Sequence, residues 1–179
     1  NSKGVYFNYS QGFAPSGLTA IFRKRPTPAA NGDLFYYNLI PATFTNTEVG
    51  GWASLFKNKV YLDASIYQMD GRNELLNIRQ PDNSTDYQAA GKTEHKGIEL
   101  GITYRPSQEL SIRGGGTYSM HRFIEFILSQ RATDTIKDVN GKDMPSAPRW
   151  IWNSEISYYP KWAKGFRTSI EWQHVSKWY

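Results

Sequence analysis

The chain has 179 residues, 39% apolar, 21% charged and 15% aromatic, with 12 Tyr, 9 Phe and 6 Trp, an abundance of rings that excludes intrinsic disorder. A mean hydropathy of −0.61, with no apolar run near the roughly 20 residues a membrane helix needs, excludes a helical membrane protein but not a barrel, whose strands are about 9–11 residues long and show lipid only every second side chain. Lys plus Arg at 21 against Asp plus Glu at 16 gives +5, but the charges are scattered, so no nucleic-acid surface is expected, and the absence of cysteine removes disulfides and thiolate metal sites.

Along the chain the dominant period is two, the signature of strands with one apolar and one polar face. Val5, Phe7 and Tyr9 oppose Asn8 and Ser10; Thr47, Val49, Ala53 and Leu55 oppose Asn46, Glu48 and Ser54. Val60, Leu62, Ala64 and Ile66 then alternate with Tyr61, Asp63, Ser65 and Tyr67. Ile98, Leu100, Ile102 and Tyr104 alternate with Glu99, Gly101 and Thr103, and Leu110, Ile112, Tyr118 and Met120 with Ser111, Arg113, Thr117 and Ser119. Trp150, Trp152, Ile156 and Tyr158 oppose Asn153, Glu155 and Ser157; finally Thr168, Ile170 and Trp172 oppose Arg167, Ser169, Glu171 and Gln173. The pattern predicts an all-β, antiparallel up-and-down meander of about seven strands.

The connections alternate short and long. Short turns are expected around Lys57-Asn58-Lys59, at Pro106-Ser107-Gln108 and around Lys161 to Gly165, and long loops over 14–42, 71–91 and 123–148. In a meander successive connections fall at opposite ends, so one end has tight turns and the other all the long loops, the layout of an outer-membrane barrel with short periplasmic turns and long extracellular loops. A compact soluble domain rarely holds three such loops. Phe56, Tyr104, Tyr158, Tyr159 and Trp162 cluster at the short-turn end as an interfacial girdle would. An odd, open sheet leaves edges unpaired, and the chain opens on Asn1 without an initiating Met and stops at Tyr179 inside what reads as a strand. Residues 1–179 are therefore expected to be one segment of a larger transmembrane barrel.

Catalytic signatures are missing. His95, His121 and His174 stand apart in sequence without a His-Glu-x-x-His spacing, so no metal site is expected, nor any cofactor. Gly114-Gly115-Gly116 lies inside a strand with no following helix to hold a phosphate; its expected role is close approach of another backbone or a bend. No nucleophile–base pair appears, and the chain is not expected to be an enzyme. The polar strand face carries Glu48, Trp52, Asp63, Glu99, Arg113, Asn153, Glu155, Arg167 and Glu171, the mixed signs of a lumen neutralised by ion pairs. In the first long loop Arg23-Lys24-Arg25 precedes Phe35-Tyr36-Tyr37, bringing cations and flat rings together in a way that suits an anionic, aromatic or sugar-like ligand. Basic residues there also suit lipopolysaccharide phosphates.

Several strings, in order and register over nearly the whole chain, resemble the TonB-dependent outer-membrane receptors. Ser10-Gln11-Gly12-Phe13-Ala14-Pro15 resembles that family's Ser-x-Gly-Phe-x-x-Pro segment, and Thr47-Glu48-Val49-Gly50 its Tyr-Glu-x-Gly strand opening. Gly97-Ile98-Glu99 is similar to its Gly-Val-Glu, and Ala147-Pro148-Arg149 with Asn153 to its Ala-Pro-x-x-x-x-Asn. Leu39-Ile40-Pro41-Ala42 departs from the family's Leu-Lys-Pro-Glu. The resemblance implies part of a barrel of about 22 strands, a lumen wide enough to need a plug, with plug and closing strands outside this sequence. It implies an outer-membrane receptor that takes up a scarce small-molecule nutrient such as a ferric siderophore, energised by the TonB-ExbB-ExbD complex. Its ligand contacts are expected at Arg23, Arg25, Tyr36 and Tyr37, with His121 and Arg122 at the rim. The competing readings are a passive porin or adhesin barrel, and a soluble ligand-binding barrel.

Overall fold

The computed structural model describes residues 2–15, 40–79, 81, 83, 85–129 and 132–178, with side chains omitted at 76–78 and 85–90. Seven strands form one sheet in sequence order, every neighbouring pair antiparallel. They are β1 (Ser2–Ala14), β2 (Ala42–Leu55), β3 (Val60–Arg79), β4 (Thr85–Tyr104), β5 (Leu110–Glu125), β6 (Trp150–Tyr158) and β7 (Thr168–Val175). There is no helix among the described residues, and the sheet is open. β7 stops at Val175, which pairs with Ile151 near the start of β6. Past that point the Ser176 amide donates to the Trp150 carbonyl at 2.9 Å, and the Trp150 amide to Ser176 Oγ at 3.0 Å.

The register sorts side chains onto two faces, because residues directly opposite one another share a face. One face runs Val5, Val49, Ala64, Leu100 and Ile102 across β1 to β4, continues through Ile112, Ile156 and Ile170, and is apolar. Val5 is 90% exposed and Ile170 75%. No water-soluble sheet leaves such a row uncovered. A depression of about 870 Å³ lies on this side over Gly51, Ala53 and Ala64 between Val5 and Leu100, an apolar hollow of the kind that faces hydrocarbon on a barrel's outer surface. Toward the long-loop end the same face turns polar at Gln68 and Lys96, then carries Asp70, Arg72, Lys92 and Glu94. The apolar band ends there, and the 20-residue strands β3 and β4 run on well beyond the about 9–11 residues a span requires.

The tight end is stitched together. Phe56, Lys57 and Asn58 turn with φ of 52°, 55° and 65°, a left-handed run that Asn58 tolerates best, and Ser54 Oγ donates to Asn58 Oδ1 at 2.7 Å. The Arg105 amide donates to the Lys59 carbonyl at 2.7 Å, and the Tyr159 amide to that of Glu109 at 2.7 Å, joining each short turn to the next. Phe56 and Trp162, 69% and 82% exposed, project here with Tyr104 and Tyr158, where a girdle was expected.

At the other end the expected loop over 71–91 is instead a β-hairpin, since β3 continues to Arg79 and β4 begins at Thr85. A bulge lies between Arg72 and Leu75 at Asn73, whose φ is 57°. A second shift follows at once on β4, where Ala90 is unpaired between Gly91 and Ala89, and an extra residue on each strand swaps its faces and erases the period-two pattern. The connection between β5 and β6 also has built structure: Leu128 donates to Lys137, Val139 to Phe126, and Met144 to the His121 carbonyl at 2.9 Å. The first long connection, 16–39, lies outside the described residues.

Gly114 and Gly116 share the outward face, and their missing β-carbons make the space in which the Trp152 ring lies. A β-carbon on Gly116 would stand inside the indole. Gly116→Ala is expected to destabilise the full-length protein by about 1–3 kcal/mol, as overpacking does. Gly12→Ala, whose β-carbon meets nothing within 4 Å, is its neutral control; urea midpoints of the heat-modifiable barrel in detergent check both.

Candidate functional site

The polar face carries three centres. Nearest the tight turns, Glu155 accepts from the guanidinium groups of Arg113 and Arg167 and from Ser157 Oγ. Arg113 and Glu155 are direct cross-strand partners, so geometry and charge agree. Beside them is a niche of about 630 Å³ floored by Gly101 and Gly115 and bordered by Asp63, Asn153 and Glu171. Farther along, Tyr6 Oη donates to Glu48 at 2.5 Å, and the Tyr6 ring covers Gly50 just as Tyr67 covers Gly97. Large rings on one strand thus occupy the space left by glycine on the next.

The third centre, near the long-loop end, is the one that spacing in the sequence concealed. His95 and His121 are 26 residues apart yet direct cross-strand partners, with Nδ1 atoms 2.7 Å from each other. His95 Nε2 lies 3.0 Å from Thr93 Oγ1, which donates to Glu74 Oε1; His121 Nε2 lies 3.0 Å from Ser119 Oγ. Thr93 and Ser119 are only 2% and 6% exposed, so these hydroxyls depend on protein partners. Thr93 has a single hydroxyl proton, and the Glu74 carboxylate takes it. The same oxygen therefore accepts from His95, which fixes the ring proton on Nε2 and leaves a bare lone pair on Nδ1. In the neutral pair His121 donates its Nδ1 proton to that lone pair and accepts from Ser119. A β-carbon on Gly71 would collide with both the Glu74 carboxylate and the Thr93 hydroxyl, so glycine there is what lets the relay pass. Met69 stands directly opposite His95, completing a row across three strands.

The residues expected to bind ligand separate in space. His121 faces the polar side with His95, whereas Arg122, one residue on, takes the opposite face and pairs with Glu94 in the register. Its Nε is 3.4 Å from Asp143 Oδ1, and Arg149 donates to Asp143 Oδ2 at 2.5 Å. Arg23, Arg25, Tyr36 and Tyr37 lie outside the described residues.

The Arg149 hydrogen bond, helped by Arg122, holds the Asp143 carboxyl below the usual carboxylate range. A depressed folded-state pKa gives stability that is present above the ordinary Asp value near about 3.9 and lost as pH falls through the folded value. The clasp that pins the β5–β6 connection is therefore expected to hold at neutral pH and open only in strong acid. Asp143→Asn should open it at pH 7, seen as faster proteolysis within 126–148; cleavage equal to that of the parent protein would deny the clasp its role.

These features match the comparisons with known proteins. The model of the family described as TonB dependent receptor-like, beta-barrel, matches residues 3–179. The ferric preacinetobactin receptor BauA from Acinetobacter baumannii superposes with a TM-score of 0.64 at 18% identity, over 99% of this chain and 24% of that one. The ferric-catecholate import receptor Fiu from K12 E. coli gives 0.59 at 20% identity, over 87% of this chain and 20% of that one. The copper transporter OprC gives 0.67 at 15% identity, over 97% and 23%. No curated protein matches the sequence. The chain thus spans about a fifth to a quarter of the length of these solved structures, whose likeness is one of fold. With the family model matched over nearly its whole length, the apolar outward band and the polar inward face are the wall of an outer-membrane barrel, and the chain belongs to the TonB-dependent receptors.

Proposed function

We propose that the full-length protein imports a scarce metal chelate, of which a ferric siderophore is the leading example, across the outer membrane with energy delivered by the TonB-ExbB-ExbD complex. The observation that carries the reading is the inward face: small residues, glycine-floored niches and neutralised charge along a wall whose other side is apolar. Such a surface borders an aqueous lumen that holds cargo or a plug. Solved proteins of this fold are described as a ferric-catecholate import receptor, a ferric yersiniabactin uptake receptor and a ferric preacinetobactin receptor, which supports iron chelates as the first class to test. Arg23, Arg25, Tyr36 and Tyr37 remain the proposed extracellular contacts, since guanidinium groups and flat rings suit anionic aromatic chelates. His121 joins them from inside the lumen mouth and Arg122 from the outer rim, where lipopolysaccharide phosphates are its other partners.

The test is uptake of radiolabelled iron as a catecholate or hydroxamate complex by iron-starved cells carrying the full-length gene. Saturable accumulation that vanishes when TonB is deleted is expected. Accumulation that is unsaturable and indifferent to TonB would make the protein a diffusion pore. Replacing Arg23, Arg25, Tyr36 and Tyr37 together by Ala should weaken binding of the imported chelate at least about tenfold, the scale of losing central contacts; unchanged affinity would remove these four from the site.

A further inference from the structure

The His95–His121 pair has a chemistry that neither the ion pairs nor the loop contacts share. Two imidazole nitrogens face each other at 2.7 Å, with ring planes inclined by 58°. The Glu74–Thr93 relay holds one of them as a lone pair. Only a proton, or a cation that accepts nitrogen lone pairs, can occupy the gap. We propose that His95 and His121 form a lumenal binding site for a borderline transition-metal ion of the copper, zinc and nickel class, coordinated through both Nδ1 atoms.

The outer contacts are those a metal-bound imidazole requires. A ligating histidine donates its second ring N–H to an oxygen that fixes tautomer and orientation. Here His95 Nε2 donates to Thr93, itself tied to Glu74, and His121 Nε2 reaches Ser119. Binding to the neutral pair is balanced without net proton release. The Nδ1 proton of His121 moves to its Nε2, the Ser119 hydroxyl turns from donor to acceptor, and two lone pairs are left for the ion. With metal–nitrogen distances of about 2.0–2.1 Å in a tetrahedral arrangement, the nitrogens stand about 3.3 Å apart, so the rings part by roughly 0.6 Å. Motion of that size is within reach of two half-buried side chains on adjacent strands.

Donor type sets the class of ion. Imidazole suits copper, zinc, nickel and iron, and a thioether favours Cu(I), which weights the choice toward copper; Met69 holds the position across from His95. Hard ions such as magnesium and calcium need oxygen cages. Among the described residues no group of three or more His, Cys, Asp or Glu side chains converges, so the shell remains partly open to water or to a chelator. An open shell is that of an exchangeable ion rather than a structural one.

The inference is independent of energised uptake, and equilibrium binding tests it whether or not the protein transports anything. Purified full-length protein in detergent is titrated with Cu(II) alone, with bound metal counted and its electron paramagnetic resonance spectrum recorded. Nitrogen superhyperfine structure from two imidazoles is expected. His95→Ala and His121→Ala should each lower stoichiometry by one copper per chain, while His174→Ala, which alters a histidine stacked on Trp172 on the outward face, should leave it unchanged. Thr93→Val keeps both ligands but breaks the relay, and should weaken binding about 10–100-fold. If either histidine variant fails to give a heat-modifiable barrel, the Thr93→Val affinity and the parent spectrum decide the matter. Equal copper in the parent and both folded histidine variants, a spectrum without paired nitrogens, or an equal loss in His174→Ala would each overturn the site.

Discussion

Inside hydrocarbon a backbone amide has no water to bond, so a spanning chain must satisfy every N–H and C=O from within. The inner strands β2 to β6 meet that demand in one continuous antiparallel ladder, and β1 and β7 meet it on one side each; the rest of the wall follows from it. A ladder imposes a side-chain period of two, so each strand must divide its sequence between lipid and lumen. The division is consistent across six pairings up to the register shifts near the long-loop end, at Lys92/Thr93 between β4 and β5 and around Asn73 between β3 and β4. A slip of one residue would put Glu155 and Arg113 into lipid and Ile112 and Ile156 into the lumen, so register is heavily specified.

That constraint also explains which parts could be read from sequence. Runs such as Val60 to Tyr67 and Ile98 to Tyr104 must alternate because lipid lies on one side, and they were legible residue by residue. Beyond the membrane both faces are wet, and the demand for alternation lapses. The stretch after Asp70 is rich in Asn, Arg and Gln and carries a bulge, so it looks like a loop although it pairs as a hairpin. The triple glycine is another partial case. Its strand location and its close approach were legible, but that Gly114 and Gly116 accommodate the Trp152 ring depends on β5–β6 register, which no local pattern supplies.

The histidine pair lay beyond local reading for the same reason. Motif searches look for ligands a few residues apart on one helix or in one turn, whereas an antiparallel sheet joins residues whose separation is set by hairpin length. His95 and His121 are brought together by the turn at Pro106-Ser107-Gln108, and Glu74 joins through a bulge on a different hairpin. The usable signal was positional: both histidines fall in the polar phase of their strands, 11 and 13 residues from that shared turn. His174, in the apolar phase of β7, lacked it.

The ion-paired centre and the histidine pair of the inward face follow opposite logics, and register fixes their order along the wall. Glu155 is surrounded by Arg113, Arg167 and Ser157 and leaves little unmet valence, so its contribution is to keep the wall near the tight turns rigid and neutral. The histidine pair lies roughly 27 Å farther along β5 at about 3.4 Å per residue, where the outward face has already turned from apolar to charged. It has an Nδ1 lone pair held in place by a carboxylate two hydrogen bonds away. The proposed metal site thus lies where the outward face is already charged, and the ion-paired centre lies beside the tight turns.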